Sequence, residues 1–72
     1  MENIMIMQQV GIRVRELRKS QGLSQEKFAL KAEMDRTYLA GIEQGKRNPS
    51  MKNMEKIIRT LGVTFHQFFE GM

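Results

Sequence analysis

The chain has 72 residues, a formal net charge of +4, one histidine and no cysteine. That length is one domain, 1–72, and the composition excludes disulfides, thiolate metal sites and three-histidine metal sites, so no cofactor is expected. The positive balance suits a polyanionic partner without separating DNA from RNA or an anionic membrane. No apolar run is long enough to cross a bilayer, so no membrane association is expected. The opening "MENIMIMQQ" has neither a basic n-region nor a cleavage site, which reads as no signal peptide and a cytoplasmic location. A domain this small buries limited surface. With disulfides and metals excluded, a second copy of the chain is the expected support.

No strand pattern appears: there is no sustained period-2 alternation and no Asn-Gly or Asp-Gly hairpin signal. Apolar periodicity instead predicts five helices in a compact all-α bundle. The first covers about 8–20, with Val10, Val14 and Leu17 on one face. Gly22 follows it as a helix-ending glycine. Ser24 then caps a second helix over about 25–32, with Phe28, Ala29 and Ala32 inward. Asp35 is expected to cap a third over about 36–44, with Leu39 and Ile42 inward and Gly45 at its end. Ser50 caps a fourth over about 51–61, carrying Met54, Ile57, Ile58 and Leu61, ended by Gly62. Thr64 opens a fifth over about 65–70, and Gln67 three residues on completes a capping box.

The second and third helices, joined by "AEMD", form a helix-turn-helix over about 25–44. Ala29 is small enough for the helix crossing, Met34 plugs the turn, and Leu39 and Ile42 turn the opposite face of the third helix outward. That face carries Arg36, Thr37, Ala40, Gly41 and Gln44, with Tyr38 at its edge. In a docked helix-turn-helix the first turn of the second helix reaches base edges in the major groove. Arg36 can fork onto guanine O6 and N7, and Thr37 can bond a base or meet a thymine methyl. Free N–H groups near Ser24 and Gln25 suit a phosphate. Gly45, Lys46, Arg47 and Asn48 form a basic turn able to grip the DNA backbone without reading sequence. Gly41 costs about 0.8–1 kcal/mol against alanine in a helix; close approach to DNA, close packing and drift would each account for it.

"RELRKSQGLSQEKFA" and "IEQGKRNPS", framing Gln25 to Gln44, resemble the phage Cro and repressor type of helix-turn-helix regulator, the xenobiotic-response-element family. The likeness covers about residues 10–70 and implies a lambda-repressor-like fold. Within it, "DRTYLAGIEQGKRN" is similar to controller proteins of restriction–modification systems. That resemblance implies a small homodimer binding operators upstream of its own and the endonuclease gene, activating at low occupancy and repressing at high occupancy. It also implies roles. Arg36 and Thr37 take base-reading positions with Tyr38 beside them. Ser24, Gln25, Gln44, Lys46, Arg47 and Asn48 take backbone-contact positions, and Arg18 and Glu43 take those of an ion pair linking the first and third helices. Glu33 departs from the pattern, standing where the family usually has a turn glycine.

One recognition helix reads few base pairs, so a dimer on a pseudo-palindromic double-stranded operator is expected. The dimerisation region is placed at about 51–72. "FHQFF" has more aromatic surface than a five-residue helix buries, which makes Phe65, Phe68 and Phe69 interface candidates together with Ile58. If the protein activates, an exposed acidic residue would meet RNA polymerase, with Glu26 and Glu33 as candidates. His66 has no catalytic context, and the seven methionines read as core filler. Rival functions are a phage-type repressor or an antitoxin, and, in another class, a protein-interaction module without DNA binding. An enzyme is the weakest reading: there is no nucleotide loop, metal constellation or nucleophile–base pair.

Overall fold

A computed structural model of the chain describes residues 3–72. It contains α1 (Asn3–Ser20), α2 (Gln25–Lys31), α3 (Arg36–Glu43), α4 (Met51–Leu61) and α5 (Phe65–Phe69), and no strand among the described residues. The five expected helices are present. The main difference lies in α1, which starts at Asn3 and not near residue 8. Its core-facing periodicity begins only at Val10, while Met5 and Ile6 face solvent. Nothing apolar and periodic therefore marks the first two turns, yet no proline or glycine interrupts them.

One core holds the helices together. Val10, Val14, Phe28, Ala29, Ala32, Leu39, Ile42, Met54, Ile57, Ile58, Leu61 and Phe68 are buried in it, with Leu17, Leu23, Met34, Tyr38 and Val63 packed at its margin. The helix starts are set by side chains. Ser24 Oγ accepts from Lys27 N at 3.1 Å, and Ser50 Oγ accepts from Asn53 N at 3.1 Å. Thr64 and Gln67 form the reciprocal capping box, at 3.0 and 2.9 Å. Asp35 stands at the N-cap position of α3 with extended backbone angles but makes no side-chain cap bond, so its expected capping role is corrected. Only its carbonyl serves α3, accepting from Leu39 N at 3.0 Å.

The α2–α3 turn contains the one non-glycine residue of positive φ among the described residues, Glu33 at 56°. A left-handed conformation costs an L-residue about 1–2 kcal/mol. The turn is nevertheless closed by backbone bonds from Glu33 N to Leu30 O and Met34 N to Ala29 O, at 3.2 and 2.9 Å. Lys56 Nζ also donates to the Glu33 carbonyl at 3.4 Å. The missing glycine therefore leaves the turn geometry in place, at the cost of local strain.

α1 crosses α3 at Gly11. A Cβ there would lie 2.2 Å from the Ile42 carbonyl oxygen and 2.9 Å from that of Glu43. Two backbones meet with no side chain between them, which fixes the distance of α3 from the core.

α5 is held by its carbonyl end. Arg13 Nε donates to Phe68 O at 2.8 Å and Nη2 to Gln67 O at 2.7 Å. Within α5, Phe68 is completely buried, and Ile58 of α4 is 2% exposed. Both belong to the core of a single chain, which corrects their assignment to a subunit interface. Phe65 and Phe69 remain 45% and 41% exposed.

Candidate nucleic-acid interface

Leu39 and Ile42 are fully buried. Three and four residues being neighbours on a helix, their burial turns Thr37 and Gln44 to the opposite face, with Arg36 at its edge in the first turn, and all three are exposed. Ser24 at the start of α2 and Lys46, Arg47 and Asn48 after α3 are exposed as well. The expected base-reading and backbone-contact residues are thus solvent-accessible, except that Gln25 and Tyr38 are half-buried.

The buried support of this face is an ion pair. Arg18 Nε lies 2.7 Å from Glu43 Oε2, and Arg18 Nη2 donates to Oε1 at 2.9 Å. The two residues are 6% and 9% exposed. A bidentate guanidinium–carboxylate pair is directional as well as strong. Here it ties α1 to the last turn of α3. Arg18 Nη1 is used too, donating to Leu23 O at 2.7 Å in the loop before α2.

The pair continues outward through Gln25. Gln25 Nε2 donates to Glu43 Oε1 at 3.0 Å, and Gln25 Oε1 accepts from Arg36 Nη1 at 3.3 Å. The neighbours dictate this orientation. A carboxylate only accepts and a guanidinium only donates, so the amide must face its nitrogen inward and its oxygen outward. Gln25 is therefore more than a phosphate-contact candidate: it joins the buried pair to the first residue of α3.

Tyr38 differs from a free reading side chain. Its hydroxyl accepts from Asn53 Nδ2 at 3.1 Å, and the Arg47 guanidinium sits over its ring, 5.5 Å from the centroid. That distance is within cation–π range. The stem of Arg47 reaches this place across Gly41, where a Cβ would lie 2.6 Å from Arg47 Cγ. Packing thus accounts for Gly41. Lys46 N and Arg47 N both bond the Gly41 carbonyl, at 2.9 and 3.2 Å, which folds the basic turn back onto α3.

Ser24 has two uses for one hydroxyl. Its oxygen is occupied by Lys27 N, and its proton remains for a phosphate oxygen.

Two residues, Gly11 and Asn53, and one role, that of Gln25 as a relay, are not marked by the sequence reading. Gly11, inside a helix, carries the same signal as Gly41: an unexplained glycine in a helix interior. Gln25 as a relay and Asn53 as a partner of Tyr38 depend on how α2 and α4 pack, and no local pattern marks them.

A short helix pair of this geometry, with an exposed polar first turn on its second helix and basic residues after it, defines a helix-turn-helix domain. The helix-turn-helix family model matches residues 14–68, and the chain belongs to that family, among the control proteins of restriction–modification systems. It is similar to control protein C.MunI of Mycoplasma sp, 48% identical over 63 residues that cover 86% of this chain and 85% of that one. The crystal structure of the restriction–modification controller protein C.AhdI from Aeromonas hydrophila superposes with a TM-score of 0.84 at 40% identity, covering 88% of this chain and 96% of that one. A chain of the restriction–modification controller protein C.Esp1396I, from the crystal structure of its tetramer in complex with its natural 35 base-pair operator, superposes with a TM-score of 0.84 at 34% identity, over 97% of this chain and 90% of that one.

Proposed function

We propose that the chain is a homodimeric transcription regulator, and not an enzyme, that binds pseudo-palindromic operator DNA and controls its own and an endonuclease gene. The observation that carries this reading is the exposed first turn of α3, anchored from behind by the Arg18–Glu43 pair and flanked by Ser24 and by Lys46 to Asn48. A reading helix needs a fixed origin, and the buried pair with the Gly11 crossing supplies one. Arg36 and Thr37 meet base edges, while Ser24, Gln25, Gln44, Lys46, Arg47 and Asn48 follow the phosphates. Operator binding by C.Esp1396I supports the same partner here.

Two copies would set their α3 helices about 34 Å apart, one turn of duplex. Phe65 and Phe69 are the exposed aromatics for that contact. Polymerase contact, where the regulator activates, falls to exposed acidic residues such as Glu26 and Glu33.

A pair of substitutions tests the reading. Arg36→Ala is expected to weaken operator binding by about 1–3 kcal/mol and relax the preference at one base pair. Lys46→Ala is expected to weaken binding to all sequences alike and flatten the salt dependence by about one unit. Unchanged preference in the first and an unchanged salt slope in the second would remove the assigned roles.

A further inference from the structure

Tyr38 is anchored at two points, its hydroxyl by Asn53 Nδ2 at 3.1 Å and its ring by Arg47. Asn53 lies in the first turn of α4, and its own N–H is held by Ser50 Oγ at 3.1 Å. The amide therefore projects from a capped and ordered turn. The direction of its bond to Tyr38 matters, because a phenol has one proton to give and lone pairs with which to accept. By accepting from Asn53, Tyr38 keeps that proton, and the hydrogen bonds of the described residues give it no acceptor within the chain. Tyr38 follows directly on Arg36 and Thr37 in the first turn of α3.

We infer that Asn53 is a positioning residue that sets the Tyr38 hydroxyl as an outward hydrogen-bond donor, so that Tyr38 selects an acceptor on the major-groove edge of one base pair. This rests on the operator-binding reading above. The acceptors available are guanine O6 and N7, adenine N7 and thymine O4, whereas cytosine presents its N4 amino donor. A tyrosine whose proton is free and whose lone-pair side is already engaged therefore favours an acceptor over the cytosine amino donor at the position it faces. Asn53 itself touches no base; it acts by occupying the lone-pair side of the hydroxyl. Arg47 fixes the ring plane, which leaves the hydroxyl little choice of direction.

The experiment is competition binding of the full chain to its operator and to every single-base replacement of it. Four proteins are compared: unsubstituted, Asn53→Asp, Tyr38→Phe and the double variant. Asn53→Asp keeps the shape but offers a carboxylate that takes the tyrosine proton. The unsubstituted protein is expected to reject cytosine at one base pair by about five-fold, the worth of one hydrogen bond. Tyr38→Phe and Asn53→Asp should each abolish that discrimination, and the double variant should lose no more than either. The added negative charge lowers affinity for all sequences alike, so it cancels in the discrimination ratio.

Full discrimination in Asn53→Asp overturns the inference, even where overall affinity falls. So does full discrimination in Tyr38→Phe, or an equal effect of Asn53→Asp in both backgrounds. Should Asn53→Asp not fold, Asn53→Ala removes the tether without a charge; reduced discrimination is expected, and full retention overturns. If the unsubstituted protein fails to distinguish its operator from a scrambled duplex, the operator-binding reading itself falls, and this inference with it. Loss of discrimination at the Tyr38 base pair alone, with Arg36 preferences kept, separates the two.

Discussion

Replacing Gly11 by alanine sets two effects of opposite sign against each other. Alanine in a helix interior is favoured over glycine by about 0.8–1 kcal/mol, so propensity alone predicts a more stable protein. Packing predicts the reverse. The new methyl carbon would lie 2.2 Å from Ile42 O, 2.9 Å from Glu43 O and 3.0 Å from the Glu43 carbonyl carbon. A relaxed carbon–oxygen contact is about 3.3–3.6 Å, so α1 must retreat from α3 by roughly 1 Å. All three obstructing atoms are backbone and cannot rotate away. Overpacking of this kind costs typically about 1–3 kcal/mol, and backbone obstruction puts it at the upper end. The retreat also lengthens the Arg18–Glu43 contacts, now 2.7 and 2.9 Å, between the same two helices. A net loss of about 2 kcal/mol follows. For a domain of this size that lowers the unfolding midpoint by about 8–16 °C. Thermal unfolding followed by circular dichroism at fixed protein concentration reads the effect directly. A midpoint equal to or above that of the unsubstituted protein would refute the close crossing.

Glu43→Ala strands the buried Arg18 guanidinium and should cost about 3–5 kcal/mol, a large share of the few kcal/mol that hold such a domain; a urea midpoint within experimental error of the original would contradict the buried pair. Gly41→Ala should separate stability from binding. The helix gains propensity, yet Arg47 is pushed off Tyr38, so operator affinity in a gel-shift titration falls while the melting temperature holds or rises, and unchanged affinity would remove the Arg47 arrangement from the interface. Phe69→Ser should shift sedimentation toward monomer with little change in helicity, whereas Phe68→Ala should lower stability by about 3–5 kcal/mol; the opposite assignment of the two would reverse the corrected picture of α5.

The helices and the reading face were legible because they depend on local patterns. Ser24, Ser50 and Thr64 announce helix starts, and Leu39 with Ile42 fixes which way Arg36 and Thr37 point. The misjudged features depend on packing. Three phenylalanines in "FHQFF" look alike in sequence, and only the packing of α5, whose carbonyl end Arg13 holds, shows that Phe68 is the one turned inward. The extra turns of α1 are not legible in the pattern because Met5, Ile6, Gln8 and Gln9 are exposed and Met7 is only half-buried, so no core-facing periodicity marks them. Asp35 occupies the right position for a cap and has the right chemistry, yet its carboxylate makes no such bond. Gly41 fits several explanations in sequence, and the stem of Arg47 lying across it is a packing feature that sequence does not show. Gln25 and Asn53 have roles set by partners 18 and 15 residues away in the chain, beyond the reach of any local motif.

The recognition helix itself is eight residues long, with no acidic residue in its first turn and no side-chain cap. Helices shorter than about 12–15 residues scarcely form alone in water. α3 therefore owes its shape to Leu39, Ile42 and the Glu43 anchor and melts when they are lost. A chain that has lost this packing is therefore expected to lose DNA reading with it. The concentration of active regulator is the total multiplied by the folded fraction, so a core substitution far from DNA that populates the unfolded chain lowers operator occupancy as a weaker promoter would. For a regulator whose action depends on its amount, stability and dosage become the same variable.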